Sequence, residues 1–289
     1  MLYKDVIVCP AGKYCEGYKN GVPLCSSGTY NDTLGITGDI AAGYWANATC
    51  GAITSTPSKD TDCALGNVNN SKACLIHFGF YSTGGGKVPR PYPDFAAGEA
   101  CLDGYECGYV GAGYYVNGGG TSKTPSGFGN GCVGQWNNAG TMTNHVCGQV
   151  SPGYFSTGGA ISATPATDSC HGYDVADTTD VIANRCGLIA AGYYGGAGAT
   201  TSSGSGLVNA GYYSTGGGTS KTPTANGNGC VGSGKTCGKV NSGYYSTGGG
   251  TSATPKQNGS GCVGSGKTCG LIDADCFGGA GSISSCPNS

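Results

Sequence analysis

Residues 211–240 read GYYSTGGGTSKTPTANGNGCVGSGKTCGKV, and residues 243–272 read GYYSTGGGTSATPKQNGSGCVGSGKTCGLI. The two blocks start 32 residues apart, at Gly211 and Gly243, and differ at a handful of positions. A near-exact repeat with two cysteines per copy and almost no charge marks a chain built of stacked units. Weaker copies begin at Gly79-Phe80-Tyr81, Gly113-Tyr114-Tyr115, Gly153-Tyr154-Phe155 and Gly192-Tyr193-Tyr194, with Gly43-Tyr44-Trp45 as a distant member. The segment from Cys269 to Phe277 aligns with Cys237 to Tyr245 and reads as the start of a truncated terminal copy. Residues 1–110 form an irregular cysteine-rich region, and residues 111–289 form the regular array.

Composition limits how such a chain holds together. It has 59 Gly, 19 Tyr and 18 Cys in 289 residues, with 10% charged residues. Large aliphatics are too few for one deep core, and a Gly-rich backbone is costly to order. Disulfides are the alternative source of stability. The cysteines fall into local pairs: Cys9/Cys15, Cys25/Cys50, Cys63/Cys74, Cys101/Cys107, Cys132/Cys147, Cys170/Cys186, Cys230/Cys237, Cys262/Cys269 and Cys276/Cys286. The second member is repeatedly followed by Gly, which favours pairing within each copy. Bridges between neighbouring copies, such as Cys237 to Cys262, stay open because spacing does not fix connectivity. Closing a loop of about 15 residues stabilises by roughly 3 kcal/mol in the chain-entropy model. Such disulfide density implies an oxidising compartment, hence an extracellular or cell-surface location.

The expected fold is mostly β and irregular: stapled tandem repeats of short strands and Gly turns forming an elongated rod with little helix. In the copy at 243, Gly243–Thr247 reads as a strand, Gly248–Gly250 as a turn or bulge and Thr251–Thr254 as a second strand ended by Pro255. Cys262–Cys269 reads as a tight stapled loop, and only Leu75–Phe78 and Asp174–Ala183 suggest a turn or two of helix. Adjacent strand residues face opposite ways. One ring of each pair is therefore expected to cover the local disulfide or the next copy, leaving the other for solvent, glycan or another chain. The candidate assembly residues are Tyr114, Tyr115, Tyr154, Phe155, Tyr193, Tyr194, Tyr212, Tyr213, Tyr244 and Tyr245. Both rings serving only to shield thin local cores is the alternative.

At the N-terminal end, Cys9-Pro10-Ala11-Gly12-Lys13-Tyr14-Cys15 continues into Cys25-Ser26-Ser27-Gly28-Thr29-Tyr30. Over roughly residues 9–50 this resembles the cysteine-rich repeats of ephrin-receptor-like and tumour-necrosis-factor-receptor-like ectodomains, whose hallmark is Cys-Pro-x-Gly-x-Tyr. The resemblance implies small disulfide-pinned modules strung into a rod. The Tyr-Tyr-Ser-Thr-Gly-Gly-Gly array departs from that pattern, so receptor function is not carried over. In composition and repetition the chain is similar to the proteins of extracellular fibres such as flagellar mastigonemes.

The chain offers little catalytic chemistry, and no catalytic, cofactor or metal residues are assigned. His77, His145 and His171 are the only histidines, and His145 and His171 lie near Cys147 and Cys170, but no Cys-x2-Cys accompanies them. Asp168, Asp174, Asp177 and Asp180 cluster without the Gly and terminal Glu of an EF-hand loop. Gly232–Thr236 and Gly264–Thr268 resemble the end of a phosphate-binding loop, yet a cysteine follows at once inside a short stapled loop. No apolar run is long enough to span a membrane. The net charge of −2 leaves no basic footprint for nucleic acid. Residues 1–8 are too short and polar for a signal peptide.

Sugar attachment is better supported. Asn31, Asn47, Asn69 and Asn258 head N-glycan acceptor tripeptides, and Thr124, Thr164, Thr222 and Thr254 precede prolines in a manner suited to O-glycans. The leading expectation is a structural subunit of an extracellular filament or surface appendage, with copies of itself and covalent glycans as partners. Val6–Val8 is expected to complete a sheet edge of the next subunit. The competing reading is a monomeric adhesin or receptor ectodomain that binds glycan or protein. Few acids are present and none recurs in the array, which argues against an enzyme.

Overall fold

The computed structural model describes residues 40–42, 44–45, 75–88, 90–91, 99–134, 146–167, 169–170, 184–256 and 261–286. It also describes the backbone of short strands elsewhere, at Val6–Ile7, Lys13–Tyr14, Tyr18–Lys19, Val22–Pro23, Tyr30–Asn31, Gly38–Asp39, Gln135–Trp136 and Met142–Thr143. No helix occurs among the described residues, and every sheet there is two-stranded. The fold is a mostly β, irregular, disulfide-rich one. Leu75–Phe78 is not helical, since Leu75 makes an isolated bridge to Tyr44, and Asp174–Ala183 lies outside the described residues. The chain groups into two units: residues 1–148, 158–162 and 171–183, and residues 149–157, 163–170 and 184–289.

In the second unit each copy folds by one rule. The aromatic strand pairs antiparallel with the Cys-Gly-x segment that ends the same copy. Tyr212–Ser214 pairs with Cys237–Lys239, and Tyr244–Ser246 with Cys269–Leu271. Tyr154–Ser156 pairs likewise with Cys186–Leu188. In the short copy at 192, Tyr193–Tyr194 pairs with Gly206–Leu207 and no cysteine is involved. Thr251–Thr254 is not a strand; Gly250 makes only bridges, and residues 252–254 bend towards the buried Pro255. Gly238 of the Cys-Gly-x strand holds φ +152, a conformation other residues rarely adopt, and lies in contact with a ring from across the pair. A Cβ on Gly238 would lie 3.8 Å from Cε1 of Tyr213, an aromatic ring covering a strand glycine.

The staples close these strand pairs. Disulfides join Cys170–Cys186, Cys230–Cys237, Cys262–Cys269 and Cys276–Cys286 in the second unit, and Cys101–Cys107 and Cys132–Cys147 in the first. All six lie within copies. Cys9, Cys15, Cys25, Cys50, Cys63 and Cys74 fall outside the described residues. A protein so cross-linked belongs to an oxidising compartment.

Successive copies then bond edge to edge. The aromatic strand's free edge makes parallel bridges to the Gly-rich turn of the next copy: Tyr194 to Gly218, Tyr213 to Gly250 and Tyr245 to Ser282. The Ser214 amide donates to the Gly250 carbonyl at 2.9 Å, and the Gly211 amide to the Ser246 carbonyl at 2.7 Å. A second set of bonds skips one copy. The Gly217 amide donates to the Ile189 carbonyl at 2.7 Å, Gly249 to Val208 at 2.9 Å and Gly281 to Val240 at 2.8 Å. The aliphatic one residue after the second strand of these three copies is thereby sealed: Ile189, Val208 and Val240 are at most 1% exposed.

The first unit follows the same plan. Phe80–Ser82 pairs with Cys107–Tyr109. Tyr81 bridges Gly120, and Tyr115 bridges Ala160. The Gly119 amide donates to the Ile76 carbonyl at 2.8 Å and the Gly159 amide to the Val110 carbonyl at 3.0 Å. Ile76 and Val110 are buried like their counterparts. Val6–Ile7, the expected free edge, has its backbone paired with Tyr30–Asn31.

Candidate functional site

Repetition of the backbone repeats the surface as well. Two clefts in the second unit are built from equivalent positions. One, of about 490 Å³, is lined by Leu207, Val208, Tyr212, Thr247, Gly248 and Lys267, among others. The other, of about 310 Å³, is lined by Leu188, Ile189, Thr215, Gly216 and Lys235, together with Arg185 and Phe155. Leu188 corresponds to Leu207, Ile189 to Val208, Thr215 to Thr247 and Gly216 to Gly248. Lys235 and Lys267 hold the same place in the two Gly-Ser-Gly-Lys-Thr loops.

The lysine is positioned by its own copy. Buried Ser246 accepts from the Gly248 amide at 3.2 Å and donates to the Gly248 carbonyl at 3.3 Å, folding the turn back on itself. Next to it, Thr247 Oγ1 donates to the Thr268 carbonyl at 3.1 Å and accepts from the Thr268 amide at 2.8 Å. That clamp fixes the residue immediately after Lys267. The lysine stem then lies along Gly248: a Cβ there would meet Lys267 Cε at 3.3 Å and Cδ at 3.5 Å. Thr215, Thr236, Gly216 and Lys235 repeat the arrangement, with a Cβ on Gly216 meeting Lys235 Cε at 3.3 Å. Methylenes cover the glycine and the ammonium is carried to the rim. The loop is a turn followed by a strand, with no helix after it.

The expected site residues are distributed as follows. Tyr114, Tyr115, Tyr154, Tyr193, Tyr194, Tyr212, Tyr213, Tyr244 and Tyr245 are all half-buried, and Phe155 is buried. Neither ring of a pair stands clear of the protein. The exposed apolar side chains lie elsewhere, with Leu271 at 50%, Ile283 at 58% and Phe277 at 84%. Thr124, Thr164, Thr222 and Thr254 are exposed beside buried prolines. The side chains of Asn31, Asn47, Asn69 and Asn258 lie outside the described residues, as do His145, His171, Asp168, Asp174, Asp177 and Asp180. Cys147 and Cys170 are in disulfides. Among the described residues no three His, Cys, Asp or Glu side chains gather into a metal-binding group, and no helix is long and apolar enough to cross a membrane. His77 packs on Phe78 with ring centroids 3.6 Å apart. Burial, and then the Arg90 charge, lower its pKa to about 4.

No protein-family model, curated protein or solved structure matches the chain. Sequence reasoning singled out the Gly-Ser-Gly-Lys-Thr loops but not the clefts beside them. The Lys267 cleft needs Leu207 and Val208 from the copy at 192 as well as the loop from the copy at 243, and the Lys235 cleft needs Leu188 and Ile189 from the copy at 153.

Proposed function

We propose that the protein is a structural subunit of an extracellular filament or surface appendage, glycosylated and assembling through copies of its own repeat surfaces. One observation carries this reading. The copies at 153 and 192 present aliphatic pairs, Leu188-Ile189 and Leu207-Val208, that a later copy covers, and at the equivalent Leu271-Ile272 the leucine is exposed. Leu188-Ile189 lies under the Gly217 turn and Leu207-Val208 under the Gly249 turn; a Cβ on Gly217 would meet Leu188 Cδ2 at 3.1 Å. Leu271 holds the same register but is half-exposed, with Phe277 and Ile283 also exposed. The occupant that fits is a Gly-Gly-Gly turn of a second copy of this chain. A contact between different faces of identical subunits propagates where it does not close. The exposed Thr-Pro sites leave room for sugars. Intact mass above the cystine-corrected 28.4 kDa of the bare chain is the expected sign of glycosylation.

Sedimentation tests the assembly. The native protein should sediment as concentration-dependent polymers, and Leu271→Asp should shift it to monomer with its disulfides intact. A wild-type protein that stays monomeric at high concentration would support the second reading, a surface adhesin. The observation favouring that reading is the pair of lysine-rimmed clefts.

A further inference from the structure

We infer that the second unit carries a binding site for an acidic polysaccharide, formed by the equivalent clefts rimmed by Lys235 and Lys267. Charge along the chain is strongly segregated. Residues 1–184 hold eight Lys or Arg against fourteen Asp or Glu, whereas residues 185–289 hold six against two. From Arg185 to Ile272 no carboxylate occurs, yet Arg185, Lys221, Lys235, Lys239, Lys256 and Lys267 all do. The net charge of −2 conceals this run of cationic residues. A run of charge of one sign sets up an attractive field for ions of the other.

The clefts supply a place for that field to act. Each sets one lysine over a glycine beside an aliphatic wall, and Tyr212 adds a half-buried ring to one of them. A concave site with an apolar wall, a ring face and a charged rim suits a sugar bearing sulfate or carboxylate groups. A single lysine at the surface binds an anion weakly in salt. Two equivalent clefts one repeat apart change that, because a polymer with regularly spaced anions engages them together and gains avidity without new contacts. The oxidising compartment that the disulfides require selects a polysaccharide over a nucleic acid. This inference concerns a ligand other than the protein itself and does not rest on the assembly proposed above.

Titration of the full-length oxidised protein with dextran sulfate, against neutral dextran of equal length, tests it. Lys235→Met with Lys267→Met keeps the stems over their glycines and removes the charges. The expected result is dextran sulfate binding that weakens at least about tenfold in this double variant at ~0.15 M salt, since two joint contacts are lost. Lys221→Met with Lys256→Met, which removes equal charge outside the clefts, should weaken it less than about threefold. Near-ultraviolet circular dichroism confirms that both variants fold. Absence of binding, equal binding of neutral dextran, or equal losses in the two double variants would overturn the site. Tighter binding of a single-stranded oligonucleotide than of dextran sulfate would overturn the polysaccharide.

Discussion

Gly249 holds φ +62 where the Val263 carbonyl occupies the space a methyl would need. Gly266, two residues into the stapled loop's turn, has φ +69 and open surroundings. The two positions separate backbone strain from collision. Gly266→Ala should cost about 1 kcal/mol, the penalty of a left-handed alanine. Gly249→Ala should cost more than twice that, because the carbonyl must also move. Thermal unfolding of the oxidised protein measures both. His77 gives a pH signature. Its folded pKa, about 4, lies below the ordinary 6.5, so the folded state resists protonation. The stability it contributes is fully present above about pH 6.5 and is lost as pH falls towards 4. Unfolding measured between pH 4 and 7 should therefore show a shallower slope in His77→Phe than in the native chain.

At the level of elements, the aromatic strand was legible from Gly-Tyr-Tyr-Ser, but its partner was not. The Thr-rich segment 251–254 carries the higher strand propensity. The structure instead uses Cys269-Gly270-Leu271, because the disulfide to Cys262 and the Thr247 clamp hold that segment beside the aromatic strand. The missed signal was the alternation after each second cysteine: Gly238-Lys239-Val240 and Gly148-Gln149-Val150 each place an exposed residue before a sealed valine. Thr247→Val removes both clamp bonds while keeping shape. It should cost about 1 kcal/mol, the usual value for partly exposed hydrogen bonds. Hydrogen exchange at the Thr268 amide should accelerate in that variant and not in Thr247→Ser.

Across the whole molecule, the cysteine spacing and Gly content made the mostly β, disulfide-rich character readable from sequence. The skip-one-copy bonding was not readable. It depends on Gly217, Gly249 and Gly281 meeting carbonyls from two copies earlier, and no local pattern encodes that distance. Peptide mapping of the unreduced protein should recover Cys230–Cys237 and Cys262–Cys269 links and no fragment joining neighbouring copies. Replacing Cys230 and Cys237 together by alanine should cost about 2–3 kcal/mol, as expected for a short closed loop. The assembly reading rests on the exposed Leu271. Negative-stain electron microscopy of native material tests it most directly. Unbranched filaments with a regular axial repeat are the predicted result, and a uniform field of separate particles at high concentration would contradict it.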